Sequence, residues 1–275
     1  MSVAGVPTTA ARPPMPFAIL AGERPGGSPL AQAMGVAAGV LVEVAGATAL
    51  ARVFQAVRCS ARLSHGVLCG PAAEIAESSA EIKSLLAPGD ICWLAPASGP
   101  GASAVAALTQ IDHYPVLLTT GDHALLTAAI IDAFLEQAEA ADADLVVGLV
   151  PYARVHLAFP GSRRTRLRFQ DAEYCGSNLF LVRTELGLKA ILFWRQVESL
   201  RKRPWQIARH LGPATLLRYL FGRLSAVAAF ALLSAKSGCR VGFVEVQQAR
   251  AAVDVDSVAD RELAERLLLA DRAQR

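Results

Sequence analysis

Tyr114-Pro115-Val116-Leu117-Leu118-Thr119-Thr120-Gly121-Asp122-His123 is the stretch on which the fold turns. Its apolar and β-branched residues run on without a gap, as in a strand covered on both faces, which is the setting of a parallel sheet. The run stops at Gly121, and a carboxylate follows at once. A helix is predicted from about 127 to 141 and another buried strand over 144–150. In open α/β sheets ligands bind at such carboxyl ends of strands. Asp122 is therefore a candidate ligand for a hard cation, which selects oxygen donors. A helix N-cap or a turn aspartate fits the same position.

Upstream, Phe17-Ala18-Ile19-Leu20 reads as a strand that enters the glycine-rich loop Gly22-Glu23-Arg24-Pro25-Gly26-Gly27. Next come a short strand over 40–44, a turn at Gly46, and a helix capped by Thr48 that carries Leu50, Val53, Phe54 and Val57 at helical spacing. Gly66 to Gly70 and Asp90 to Leu94 read as strands flanking a helix near 71–86, and Gly99-Pro100-Gly101 opens a helix of small residues. The alternation of strand and helix predicts an α/β fold with a mostly parallel sheet in which 114–120 is central. Downstream lie a basic loop at 160–172, a strand over 178–182, a mainly helical stretch, a strand over 240–246 and a last helix over 258–269.

Composition narrows the class. The 275 residues are 53% hydrophobic, with a mean hydropathy of +0.36. The apolar, uncharged run Leu224 to Ala235 is too short to span a bilayer, which takes about 20 residues. Residues 1–16 lack the apolar core of a signal peptide and are predicted to be a disordered tail, so a cytoplasmic protein is expected. Five cysteines without C-x-x-C spacing suggest buried free thiols rather than a disulfide framework or zinc. A net charge of +3, with basic clusters at 163–168 and 201–203, suits an anionic small molecule and no nucleic acid.

Other groups join Asp122 as candidates. Asp254-Val255-Asp256 follows a strand and precedes a helix, and alternation turns both carboxylates to one side. Ser257 and Asp260 there fit an N-terminal capping box. The loop of Gly22, Arg24, Gly26 and Gly27 can wrap phosphates with backbone N–H groups, although it matches neither G-x-G-x-x-G nor G-x-x-x-x-G-K-[ST]. Arg201-Lys202-Arg203-Pro204-Trp205 and the leucines and arginines up to Leu224 form a basic amphipathic stretch. It fits either a peripheral membrane contact or a core-facing helix pair with a solvated basic side.

Leu20-Ala21-Gly22-x-Arg24, Val44-Ala45-Gly46-x-x-x-Leu50, Thr119-Thr120-Gly121-Asp122-His123 and Asp254-Val255-Asp256-Ser257-x-x-Asp260 occur in the order found in MobA-like nucleotidyltransferases. The chain resembles that family from residue 17 to about 270. The resemblance implies a three-layer α/β/α fold of the glycosyltransferase-A-like, Rossmann-like type, in a single domain over 17–275 with a helical insertion at about 185–236. It implies transfer of a nucleotidyl group from an NTP to a small phosphorylated acceptor, with Mg²⁺ as cofactor, release of pyrophosphate and a slight preference for CTP.

By motif, Leu20, Ala21, Gly22, Glu23, Arg24, Gly26 and Gly27 become the nucleotide loop, and Gly99, Pro100, Gly101 and Ser103 the base pocket. Asp122 and Asp256 become the metal ligands, and Arg24 and Asp122 the catalytic pair. His123, Asn178, Arg166 and Arg168 are assigned to the acceptor. Two positions depart from the family pattern. Glu23 replaces a small residue, and Gly39 stands where a lysine usually precedes the Val-Ala-Gly turn. Losing that cation removes transition-state charge stabilisation. Arg24 and the 163–168 loop would then have to compensate, or the chain turns over slowly, or it binds nucleotide without catalysis. A nucleotide-sugar glycosyltransferase on the same fold is a further alternative. The sequence carries no signal for an oligomeric state.

Overall fold

In the computed structural model, residues 13–23, 26–199 and 212–274 are described. The chain runs β1 (Met15–Leu20), α1 (Pro29–Met34), β2 (Glu43–Val44), β3 (Ala47–Thr48), α2 (Ala49–Cys59), β4 (Leu63–Cys69), α3 (Ala73–Ser78), α4 (Ala80–Leu86) and β5 (Ile91–Leu94). It continues through α5 (Pro100–Ile111), β6 (Val116–Thr120), α6 (Ala128–Ala140), β7 (Leu145–Pro151), α7 (Tyr152–Ala158), β8 (Leu167–Arg168) and β9 (Glu173–Val182). The last elements are α8 (Gly187–Ser199), α9 (Pro213–Leu220), α10 (Ala226–Ser237), β10 (Val241–Glu245) and α11 (Val258–Ala273).

The main sheet has the order β10-β7-β9-β6-β1-β4-β5, with β8 hydrogen-bonded to β9. β6 is central, as its uninterrupted apolar sequence predicts. Its neighbour β1 is parallel to it, and β9 runs antiparallel to both β6 and β7. Alternation along the strands divides the core in two. Phe17, Ile19 and Leu117 pack with Leu50 and Phe54 of α2 and Ile131 and Phe134 of α6. Ala18, Val116 and Leu118 pack on the opposite face, with Ala104 and Leu108 of α5, Ile191 of α8 and Phe230 of α10. The result is a three-layer α/β/α arrangement.

Several expectations need local revision. The strand expected over 40–44 is a 3-10 turn, Gly39–Leu41, followed by the two-residue β2. β2 and β3 form a hairpin through Ala45 and Gly46, whose φ values of 50° and 81° are those of a primed two-residue turn. The helix expected near 71–86 is broken at Ser79, whose hydroxyl caps α4 by accepting from Ile82 N. β1 starts at Met15, inside the stretch assigned to a tail, and β9 starts five residues earlier than expected. Of the five thiols, Cys59 and Cys92 are exposed. Within the basic amphipathic stretch, 200–211 lies outside the described residues, as does 1–12. No helix of the described residues is long and apolar enough to cross a membrane.

Candidate functional site

Asp122 sits in the turn directly after β6, where Gly121 N donates to Leu20 O at 2.8 Å and so holds the turn beside the end of β1. A side chain at Gly121 would press on Ala21, Leu50 and Val40 at 3.2 Å, so glycine eases the close approach of the two strand ends. The half-buried Asp122 carboxylate accepts the Thr120 hydroxyl at 2.5 Å. Its main-chain oxygen accepts from Val255 N at 3.0 Å. That bond crosses the molecule and lays Asp254-Val255-Asp256 against the Asp122 turn. Val255 is buried while Asp254 and Asp256 line an open cleft, as alternation along the segment predicts.

This arrangement loads the Asp122 carboxylate with negative charge. Burial, joined by the charges of Asp254 and Asp256, pushes its pKa up to about 7 against the opposing pull of the Thr120 hydrogen bond. A carboxylate strained in this way gains from any cation that reaches it. The oxygen-only donor set suits Mg²⁺ or Ca²⁺ rather than a softer metal. Among the described residues no group of three histidines, cysteines or carboxylates is close enough to hold a metal unaided. A small divalent ion held by one or two carboxylates therefore needs further oxygens, which substrate phosphates provide in many Mg²⁺ sites.

The cleft beside Asp254 and Asp256 has a volume of about 390 Å³ and is walled by those two residues with Arg163, Arg164, Thr165, Leu167, Gly176 and Asn178; Asp122 lies behind the acidic segment rather than on the cleft wall. Arg164, with 6% of its side chain exposed, bonds Asp254 at 2.7 Å and Asp260 at 2.6 Å. It fixes the acidic segment from across the cleft, a role the sequence did not reveal because its partners are 90 and 96 residues away. Ser257 caps α11 by accepting from Asp260 N at 3.2 Å, as its spacing predicts.

Asn178 owes its position to a register shift between β7 and β9. The buried Ser177 hydroxyl donates to Gly148 O at 2.8 Å and accepts from Leu179 N, which stabilises the irregularity. Asn178 adopts φ 53°, a left-handed conformation that asparagine tolerates better than most residues, and it faces the cleft half-buried rather than buried.

Three other acceptor assignments fare differently. Along the extended 163–168 segment, Arg166 and Arg168 turn away from the cleft. Arg166 lies over the Tyr152 ring at 4.9 Å, and both arginines approach Glu173, at 3.5 and 3.4 Å. Arg163 and Thr165 hold the cleft face instead. His123 is 1% exposed and sits in the core, not on the cleft wall. Burial lowers its imidazole pKa to about 4, with the Arg250 backbone alongside but neither ring nitrogen hydrogen-bonded.

The glycine loop follows β1, and Gly26 and Gly27 have φ of 100° and 77°. Arg24 lies outside the described residues. Glu23 turns back, and its carboxylate accepts from Gly39 N at 2.6 Å. The space around Gly39 is filled: a Cβ there would lie 2.9 Å from Ser28 Oγ and 3.6 Å from Glu23 Oε1. The two departures from the family pattern thus touch one another. Gly22 abuts Pro96, which brings the loop beside the 95–103 segment; a Cβ at Gly22 would meet Pro96 Cβ at 3.0 Å. There Ser103 is buried and its hydroxyl accepts from Ala97 N at 3.0 Å, while Gly101 packs against Arg195 of α8. Gly99 and Pro100 begin α5.

The chain's relatives agree with this architecture. A hypothetical transferase from Thermus thermophilus superposes with a TM-score of 0.74 at 29% identity, covering 90% of this chain and 99% of that one. A 2-C-methyl-D-erythritol 4-phosphate cytidylyltransferase, also from Thermus thermophilus, shares the fold at TM-score 0.51 and 16% identity, over 92% and 98% of the two chains. So does molybdopterin-guanine dinucleotide biosynthesis protein A from Archaeoglobus fulgidus, at TM-score 0.52 and 11% identity, over 93% and 100%. No protein of curated function matches by sequence. Residues 18–183, more than half of the chain, match the MobA-like NTP transferase domain, and the chain belongs to that family.

Proposed function

We propose that the protein is an Mg²⁺-dependent nucleotidyltransferase that moves a nucleoside monophosphate from an NTP, CTP in preference, to a small phosphorylated acceptor. The observation that carries this reading is the placement of Asp254 and Asp256 against Asp122 through the Val255–Asp122 bond, at the carboxyl end of the central strand. CTP is favoured because the shared fold includes a CMP:2-keto-3-deoxy-manno-octonic acid synthetase complexed with CTP, a 4-diphosphocytidyl-2C-methyl-D-erythritol synthase and a 2-C-methyl-D-erythritol 4-phosphate cytidylyltransferase.

In this reading an oxygen of the acceptor phosphate attacks the α-phosphorus, the bond to the bridging oxygen breaks, and pyrophosphate leaves. The metal supplies neutralisation of the triphosphate charge. Asp122 and Asp256 would hold it, Asp122 with the most to gain in electrostatic energy. Backbone N–H groups of Gly22, Gly26 and Gly27, with Arg24, orient the triphosphate. Glu23 is kept off the phosphates by its bond to Gly39 N. On the acceptor side, Arg163, Thr165 and Asn178 replace Arg166, Arg168 and His123 as the groups facing a phosphorylated substrate. Positioning and electrostatics supply the catalysis, and no side chain has to move a proton.

The test is pyrophosphate release from CTP, GTP, ATP and UTP with Mg²⁺ and a panel of sugar, polyol and alcohol phosphates, for the wild type and Asp122→Asn. Release with one nucleotide and one acceptor, absent in the variant, bears the proposal out. No release with any pair, while nucleotide still binds, overturns it in favour of a nucleotide-binding protein without turnover.

A further inference from the structure

Residues 199–244 contain eight arginines and lysines and not one aspartate or glutamate. The rest of the chain holds 19 basic and 24 acidic residues, so the whole net positive charge of the protein resides in this stretch. Within it, α9 and the turn that follows expose three large apolar side chains at i, i+3 and i+4: Leu217 at 53%, Leu220 at 67% and Phe221 at 74%. That spacing puts them on one side of a helix. Arg218 and Arg223 flank them, both exposed and neither ion-paired among the described residues.

The opposite side of the same element is anchored. Tyr219 packs edge-on against Phe169 at 6.2 Å, Leu224 is buried, and Leu224 O accepts from Gln170 N at 2.9 Å. The exposed row therefore belongs to a helix held firmly on the 163–175 hairpin, whose other end walls the cleft. Soluble proteins rarely place adjacent leucine and phenylalanine side chains in water without a partner.

We propose that this face of α9 rests on an anionic phospholipid surface. Apolar side chains in the middle and arginines at the edge are what an interfacial helix presents to a bilayer of negative headgroups. A second copy of the chain suits the face less well, since apposing two such faces would bring arginines against arginines. The contact involves no nucleotide, so it stands or falls separately from the proposed transfer reaction.

The full chain is sedimented with vesicles of phosphatidylcholine alone and of phosphatidylcholine with an equal share of phosphatidylglycerol. Binding is expected only to the second kind and should weaken as salt rises. Each arginine near such a surface is worth about fivefold in partitioning, so Arg218→Gln with Arg223→Gln should lower it about 25-fold. Phe221→Ser should lower it by about tenfold or more. The three side chains are exposed, and an unchanged melting temperature verifies the fold of each variant. Failure to bind anionic vesicles overturns the proposal. So does equal binding to neutral ones, or a lipid-free dimer that Phe221→Ser dissolves.

Discussion

Replacing Asp122 with asparagine should make the metal-free protein more stable while removing its activity. The carboxylate's value of about 7 in the fold lies roughly three pH units above the 3.8 of a free aspartate, mainly through burial and then through Asp254 and Asp256. At 1.36 kcal/mol per unit the ionised form is disfavoured by about 4 kcal/mol. Asp122 is only half-buried, and solvent screening reduces the figure to about 2 kcal/mol. The sign follows from proton binding. Below about pH 3.8 both folded and unfolded chains hold the proton and the residue contributes nothing. Between there and pH 7 the unfolded chain releases it first, so stability falls as pH rises, and the penalty is complete above about pH 7. Asparagine keeps the oxygen that accepts from Thr120 and never ionises. Thermal unfolding in a chelator should therefore show Asp122→Asn melting about 5 °C above the wild type at pH 8, with a smaller gap at pH 5 and none below about pH 3.8. Adding Mg²⁺ should raise the wild type alone and narrow the gap. A gap independent of pH, or a variant less stable than the wild type at pH 8, would refute the reasoning.

Two further substitutions test the supports of the site. Arg164→Met leaves Asp254 and Asp260 without their shared cation and should cost about 2–4 kcal/mol in denaturant unfolding, since breaking a buried pair strands its partners; a loss below about 1 kcal/mol would mean that the clamp is not formed. Gly39→Ala drives a Cβ to 2.9 Å from the Ser28 hydroxyl that caps α1, and should cost about 1–2 kcal/mol through that cap and local overpacking, read as a lowered melting temperature.

Patterns contained within one element were legible in the sequence. The apolar run of β6 predicted a central strand, Thr48 a helix cap, and the two-residue period of Asp254 and Asp256 a shared face. Contacts set by distant segments were not. The turning of Asn178 into the cleft depends on Ser177 reaching Gly148 on another strand, and no local pattern in 173–178 encodes that bond. The arginines at 163–168 were visible as a cluster, but which of them faces the cleft is decided by Glu173, Tyr152, Asp254 and Asp260, all supplied by other elements. His123 looked available because it adjoins Asp122, yet packing carries it into the core.

Glu23 and Gly39 show how such long-range effects change a functional argument. Taken one at a time along the chain, an acid in the glycine loop and a lost lysine are two defects, each weakening the hold on a triphosphate. In the fold they are neighbours: the Glu23 carboxylate is engaged by the Gly39 N–H, and Ser28 and Glu23 occupy the space into which a side chain at 39 would grow. The Glu23 carboxylate turns inward to the Gly39 N–H, which in the proposed reading keeps its charge off the amides of the glycine loop. Restoring lysine at 39 alone would then crowd Ser28 and place an ammonium beside Glu23, where the two neutralise each other instead of serving phosphate. The positive charge that the proposed reaction needs would then come from elsewhere on this chain, and Arg24 in the same loop and Arg163 on the cleft wall are the groups proposed for it.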